Sequence, residues 1–335
     1  MRGLKVVKIL VVGLMVTTVV SGRASFADGP AGAEGTGKEA TVSQGRTVDD
    51  ERLDESSGLA ISRLQADRFW THNDSGDQPR LFLVDKAHKQ NKSSANALAA
   101  EGRELCPTVR LAGAEAVDWE DMASAEIDGK AYLFVGDIGD NLKRRETIDL
   151  YVLLEPEGVK LVDGVTAAVE AGRIRFRYAD GPRDCEALVV DAARQQVLLI
   201  EKSRLPWAGV YLLRLPEQWQ RLATVESPAA TTEEPLVAER IGTVPIPMVT
   251  GADLRADGQQ LAVITYFDLF LFERGEGESW QTVLGRTPRH VGLPKLKQVE
   301  AVAYDQQGRL WVSSERFPMA LQPVSLAVDA GGENE

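Results

Sequence analysis

The sequence contains little cysteine and histidine. Only two cysteines, Cys106 and Cys185, and three histidines occur among the 335 residues, and the cysteines form no CxxC pair. The two cysteines therefore cannot form a zinc site by themselves, and three histidines leave little material for a histidine-rich metal centre. In an oxidising compartment the two cysteines allow one disulfide, and the alternative is two separate buried thiols.

Several motifs of common enzyme classes are absent, and so is an excess of positive charge. There is no GxSxG elbow, no HExxH, no phosphate-binding glycine-rich loop and no GxGxxG. The formal net charge is −12, which argues against nucleic acid or anionic lipid as a partner. The remaining partners are a cation, a small-molecule ligand or another protein, and we expect a monomer.

Long apolar runs are absent except at the N-terminus. Ile9 to Val20 follows a basic leader and precedes Ser25-Phe-Ala27. This run is too short for a membrane helix, which needs about 20 residues, so it predicts a signal peptide over residues 1–27 and a secreted or periplasmic protein. An uncleaved anchor is the alternative. Residues 28–42 and 329–335 are predicted to be disordered tails, which leaves a domain over residues 43–328.

A repeated strand–turn–strand pattern fills that domain. Its first strands begin at Ser57, Glu120, Glu186, Ala252 and Glu300, with spacings of 63, 66, 66 and 48 residues. Each is followed by an Asp- or Gly-containing turn or a Gln-rich one, then by a β-rich run, which is the signal of a hairpin. Apolar runs that follow four of the hairpins, such as Leu81 to Val84, suit a third strand.

Short strands recurring in this way predict an all-β fold, a β-propeller with five modules. The segment from Thr47 to Leu53 could close the ring beside the last module. A sixth, degenerate blade within residues 86–110 or 214–240 is a second arrangement, and an open sandwich of hairpins is a third.

Polar residues gather where first strands start and second strands end. These two places lie at the same face of a blade, because the strands of a hairpin are antiparallel. Oxygen-rich side chains crowded there favour a hard cation, Ca²⁺, over zinc. The predicted metal ligands include Glu120, Glu186, Glu300 and Asp253. The predicted ligand-binding residues at this face are Asp74, Asp118, Asp121, Asp137, Asn141, Asp184, Glu201, Lys202, Glu315 and Arg316.

Other roles for these residues remain open. Asp and Asn in such turns often cap the backbone, and the nearby basic residues could simply form salt bridges with the acids instead of holding an anionic group of a ligand. His72 is the histidine set in a motif on this face, so it is the candidate general base, with turn capping as its alternative role.

The motifs together resemble a group of exported bacterial β-propeller proteins. The matching stretches are WTHNDSG at Trp70, VDWEDMA at Val117, VGDIGDN at Val135, YADG at Tyr178, DCEAL at Asp184, VTGADL at Val249 and EAVAY at Glu300. The resemblance extends from about residue 52 to 318. It implies the propeller fold and export, but no particular activity.

More distantly, the plan resembles calcium-dependent propeller hydrolases of the gluconolactonase and paraoxonase type and the propeller phytases. Those families place calcium on channel-lining Glu, Asn and Asp residues, which implies Glu120, Glu186, Glu300 and Asn73 here. The chain departs from them in blade length and number. Two functions follow as hypotheses: a calcium-dependent hydrolase of a small ester, lactone or phosphoester, or a non-catalytic propeller that binds a ligand or protein at the same face.

Overall fold

The computed structural model describes residues 45–87, 105–157, 167–224, 232 and 234–326. These residues form twenty-one strands, numbered β1–β21 in chain order, one short helix α1 (Trp280–Leu284) and two 3-10 turns, Ala192–Arg194 and Trp219–Thr224. The predicted all-β class is confirmed. No helix in these ranges has the length and apolar character needed to cross a membrane. The predicted signal peptide and both predicted tails lie outside the described residues.

The strands form five antiparallel blades of four strands each. The first blade contains β2 (Ser56–Ile61), β3 (Arg68–Asn73), β4 (Arg80–Asp85) and β5 (Thr108–Ala112). The second contains β6 (Asp121–Ile127), β7 (Lys130–Asp137), β8 (Ile148–Leu154) and β10 (Gly172–Tyr178). The third contains β11 (Cys185–Asp191), β12 (Gln196–Glu201), β13 (Ala208–Arg214) and β14 (Leu236–Val244). The fourth contains β15 (Val249–Leu254), β16 (Gln260–Thr265), β17 (Asp268–Glu273) and β18 (Arg289–Gly292). The fifth contains β19 (Val299–Tyr304), β20 (Leu310–Ser314), β21 (Met319–Pro323) and β1 (Arg46–Val48).

Two parallel pairings link strands at the outer edges. Strand β9 (Ala167–Glu170) extends the first blade by pairing with β5, and β10 pairs with β14, which joins the second and third blades into one sheet.

The five innermost strands β2, β6, β11, β15 and β19 form a closed ring. Each contacts the innermost strand of the next blade, and β19 contacts β2. The described residues therefore leave no gap in the ring for a sixth blade, which the sequence analysis gave as a second arrangement. Instead, residues 108–112 form the outer strand β5, and residues 236–244 form β14.

The core is divided among the interfaces between blades. Five separate apolar clusters occur, one between each pair of neighbouring blades. Successive side chains of a strand point to opposite faces, so Leu188 packs towards the second blade while Val189 packs towards the fourth. This explains why burial along most of the inner strands is nearly continuous rather than alternating.

The last blade is closed by a strand from the N-terminal side of the domain. Strand β1 pairs antiparallel with β21, and Val48 is fully buried there. The closing strand is shorter than the predicted segment from Thr47 to Leu53. The buried carboxylate of Asp50 explains this, because it accepts hydrogen bonds from the Arg52 backbone and side chain and turns the chain away from the sheet.

The two cysteines are both buried, and no disulfide joins them. Cys106 precedes β5 of the first blade and Cys185 begins β11 of the third. The structure therefore agrees with the second of the two alternatives, separate thiols, and not with a disulfide.

Candidate metal and ligand site

Three carboxylates from two neighbouring blades meet at the channel mouth, the face where the innermost strands begin. Asp74 follows β3, and Asp118 and Glu120 precede β6. One oxygen from each carboxylate lies within 4.8 Å of the other two. We call these three residues the mouth triad. Within the described part of the chain, they form a group of ligand-type side chains that could hold one metal ion.

The loop that carries Asp118 is held in place by backbone bonds. The carboxylate of Asp137 accepts hydrogen bonds from the N–H groups of Val117 (3.3 Å) and Asp118 (3.0 Å). Arg145 in turn binds Asp137 at 2.7 Å. The Gly139 N–H donates to the Asp118 carbonyl at 3.1 Å. The backbone on both sides of the triad is thus fixed before any ligand arrives.

Glu120 is buried yet incompletely bonded. Its Oε1 atom is shielded from solvent and has no hydrogen-bond partner among the described residues. Gly139 passes beside it, and a Cβ atom at that position would collide with Glu120 Oε1 and lie 2.6 Å from Asp118 Cγ. An unpaired buried polar oxygen is costly unless something binds it, so the triad has a vacant acceptor.

A second set of charges lies across the mouth. Lys202, which follows β12, binds Glu186 of β11 with 2.7 Å between Nζ and Oε2. The ammonium also lies over the Tyr266 ring of the fourth blade, 5.4 Å from its centroid. Glu186 Oε1 is buried without a hydrogen-bond partner, like Glu120 Oε1. The buried Glu300 of the fifth blade acts on Lys202 electrostatically, so all five blades contribute charged or polar groups.

Burial and repulsion by neighbouring acids raise the pKa values of two triad members, Asp118 and Glu120. Burial, followed by the charges of Asp74, Asp184 and Glu186, raises the pKa of Asp118 to about 7. Burial, then Glu186 and the other two triad members, raises the pKa of Glu120 well above its ordinary value. Burial lowers the pKa of Lys202, but nearby Glu186 and Glu300 more than reverse this, so the ammonium stays charged. A bound cation would oppose both upward shifts, because it favours the ionised carboxylates.

His72 lies in the packed interface between the first two blades. It is fully buried, its Nδ1 is bonded to the Asn73 carbonyl at 2.9 Å, and its ring meets Trp119 edge-on at 5.4 Å. Its Nε2 lies against Gly58, where a Cβ would collide with it, and has no hydrogen-bond partner. Burial lowers the pKa of His72, so the ring is neutral.

Three other predicted residues are engaged by the backbone. The Asn73 amide donates to the Arg52 carbonyl at 2.7 Å and accepts from the Glu55 N–H at 3.3 Å. Asp253 accepts from the N–H groups of Leu254 and Tyr304. Asp121 reaches across the ring, and its Oδ2 accepts from Leu188 at 2.9 Å and Ala252 at 3.2 Å, on the third and fourth blades.

The remaining predicted residues lie in the loops around the mouth. Asp184 accepts from the Asp140 N–H at 2.9 Å, and Glu201 binds Lys143 at 2.5 Å. Glu315 and Arg316 both bind the side chain of Gln298. Asn141 is exposed and lines a pocket of about 540 Å³ next to the mouth.

That pocket contains residues that sequence reasoning missed. Arg204, Trp207, Arg240 and Met248 line it together with Lys202 and Asp184. The one signal available was position in the blade. Arg204 to Trp207 follow the second strand of the third blade, and the triad residue Asp74 likewise follows the second strand of the first blade. Nothing in the sequence showed that Arg240, from an outer strand, would reach the same place.

Comparisons with known proteins give little further information. No protein-family description matches the chain, and no curated protein matches its sequence. Among solved structures, a crystal structure of glucose dehydrogenase is similar with a TM-score of 0.42 and 13% sequence identity, covering 85% of this chain and 99% of that one. This likeness is too weak to bear on activity.

Proposed function

We propose that the mouth triad binds a divalent cation, expected to be Ca²⁺, and that the propeller uses it to hydrolyse a small ester, lactone or phosphoester. The observation that carries the proposal is the buried, unpartnered Glu120 Oε1 beside two further carboxylates within 4.8 Å. Carboxylate oxygens alone are the donor set that a hard cation takes. A bound cation also supplies the positive charge that would let the triad ionise together.

Each residue would have a distinct part. Asp74, Asp118 and Glu120 would hold the ion, which when bound polarises a carbonyl or phosphoryl oxygen and lowers the pKa of a bound water. Gly139 lets the carboxylates of Asp118 and Glu120 approach its backbone closely, which a Cβ atom would prevent. Lys202, fixed by Glu186, presents a permanent positive charge at the same mouth. The hydrogen bonds of Asp137 hold the loop that carries Asp118 in place.

A propeller that binds a ligand without turning it over is the second candidate. The burial of His72 favours it, because that side chain is neutral and packed between blades, with its Nδ1 already bonded to a backbone carbonyl. Proton transfer would then depend on the mouth acids themselves. Binding of a cation is common to both candidates, and turnover separates them.

The cation site is tested by calorimetric titration of chelator-treated protein with Ca²⁺, Mg²⁺ and Mn²⁺. We expect binding of Ca²⁺ that weakens by about tenfold or more in Glu120→Gln, because the amide keeps the shape but loses the charge. Asp257→Asn is the matched control, since Asp257 lies in an exposed hairpin turn. Binding to the native domain should stabilise it by about 2.7 kcal/mol at 100 times the dissociation constant. The absence of binding heat and of any melting shift with all three ions would contradict the proposal.

Turnover is tested with a panel of aryl esters, lactones and phosphoesters, each with calcium and with chelator. Calcium-dependent hydrolysis that is lost in Glu120→Gln supports the hydrolase. If the cation binds and no member of the panel is cleaved, the ligand-binding candidate is the one that stands.

A further inference from the structure

The pocket beside the mouth lies between loops of the second and third blades. Asn141 and Lys143 come from the loop after β7, and Ser203 to Trp207 from the loop after β12. Its volume, about 540 Å³, lies within the range of small-molecule sites, roughly 300–1,000 Å³. Its wall also includes Arg240 of β14.

The charge of this pocket is opposite to that of the protein. Five cationic and two acidic side chains line it, in a chain whose net charge is −12. Three of the cations are already paired, Lys143 with Glu201, Lys202 with Glu186 and Arg183 with Asp180. The side chains of Arg204 and Arg240 form no hydrogen bond or ion pair with any residue in the described ranges. Two exposed guanidinium groups without a protein partner in the described ranges, lying in one concavity, suit a carboxylate or phosphate, which they can bind in a bidentate way.

An apolar platform adjoins these two arginines. Trp207 is 49% exposed and Leu205 is 55% exposed, in the same loop as Arg204. The chain has six tryptophans, and the other five are all fully buried. A flat aromatic side chain left open in a pocket offers stacking area to an apolar group of a ligand.

The pocket is continuous with the mouth. Lys202 and Asp184 line the pocket, and both also act on the mouth acids: Lys202 through its bond to Glu186, and Asp184 through its effect on Asp118. A molecule anchored in the pocket would therefore extend towards the mouth triad.

We infer that this pocket selects the substrate: an anionic compound with a flat apolar part, whose carboxylate or phosphate is held by Arg204 and Arg240 and whose apolar part packs on Trp207. The cleavable group is then a separate part of the molecule that reaches the mouth. The chemistry rests on the proposed function, but the binding does not, because neither arginine touches the triad.

Trp207 is the probe for the test, since iodide reaches it and not the five buried tryptophans. Iodide quenching of tryptophan fluorescence is measured in chelator with phenyl phosphate, benzoate and the neutral benzyl alcohol. We expect phenyl phosphate, benzoate or both to protect Trp207, with benzyl alcohol far weaker; the two anions distinguish a phosphate from a carboxylate preference. Trp207→Phe should abolish the quenchable fraction and so confirm the assignment.

Variants then locate the anionic anchor. Arg204→Gln and Arg240→Gln should each lower the affinity for the protecting anion by about tenfold. The control is Arg110→Gln, which should leave this affinity unchanged because Arg110 is exposed on the outer strand β5. Equal protection by benzyl alcohol, or unchanged affinity in the double arginine variant, would overturn the inference.

Whether the protection of Trp207 depends on calcium distinguishes this inference from the proposed function. Protection seen only after calcium is added would mean that the ion and not the arginines holds the anion, which refutes the pocket inference and supports the cation site. Protection in chelator, together with no calcium binding, would support the pocket and refute the proposed function.

Discussion

At the scale of single residues, the mouth triad depends on the missing side chain of Gly139. The carboxylates of Glu120 and Asp118 lie where a Cβ atom of this residue would be. The φ angle of Gly139 is one that other residues adopt, so alanine would push against these carboxylates without backbone strain.

We therefore expect Gly139→Ala to reduce cation affinity by about tenfold or more while lowering the melting temperature in chelator only slightly. The new methyl group displaces two flexible carboxylates rather than backbone atoms. Gly242→Ala is the control, because nothing lies within 4 Å of a Cβ there. Unchanged affinity in calorimetry of Gly139→Ala would mean that these two carboxylates do not hold the ion.

The mouth acids also predict how stability depends on pH. The pKa of Asp118 is raised to about 7 in the fold, above its value in an unfolded chain. Such a group contributes stability that is fully present below about pH 4 and is lost as the pH rises through 7. In chelator, the melting temperature should thus fall between pH 4 and 8, and Glu120→Gln should reduce that fall. Calcium should remove most of it, and a calcium-independent profile would contradict the cation site.

The acidic face was predictable from the sequence, but the division of labour within it was not. Strand starts and strand ends meet at one face because hairpins are antiparallel, which brings Asp74 and Glu120 together. In the sequence, Asp121 and Asp253 look equivalent to the acids of the mouth triad. In the structure, however, they accept hydrogen bonds from backbone N–H groups of other blades. Which N–H group lies near a carboxylate depends on how blades pack, and no local pattern contains that information.

At the scale of elements, inner strands and their hairpins were predictable because they are buried on both faces and end in Asp or Gly turns. Outer strands such as β14 and β18 have few buried positions, so their sequence patterns resemble those of loops. Strand β1 was anticipated by position, and its burial alternates, with Arg46 and Val48 inside and Thr47 exposed.

This alternation predicts opposite outcomes for two neighbouring substitutions in β1. Val48→Asp places an uncompensated charge in the interface between the fifth and first blades, and should lower the free energy of unfolding by roughly 3–5 kcal/mol. Thr47→Asp, on the exposed face of the same strand, should change it by about 0.5 kcal/mol or less. Urea unfolding followed by circular dichroism measures both, and equal effects would argue against closure by β1.

At the scale of the whole molecule, Asp121 connects three blades across the channel. It belongs to the second blade and accepts hydrogen bonds from the inner strands of the third and fourth. Burial raises its pKa well above the ordinary value, although these backbone bonds oppose the shift.

Asp121→Ala should therefore destabilise the domain, by about 1–3 kcal/mol for each N–H left unpaired. Asp121→Asn should cost less, because its amide oxygen still accepts. The exposed Asp54 provides the control variant Asp54→Ala. Chemical denaturation of the four proteins gives the comparison, and an alanine variant as stable as the control would show that the cross-channel bonds contribute nothing.

The pairing of β1 with β21 also has a mechanical consequence. Arg46 lies opposite Leu321 and Val48 opposite Met319, so the chain enters β1 and leaves β21 at the same end of the pair. A force applied to those two points loads the interstrand hydrogen bonds one after another, instead of all together. Under tension, β1 should therefore separate from β21 at low force, well before the blades unfold. Heat or denaturant, in contrast, should unfold β1 together with the blades.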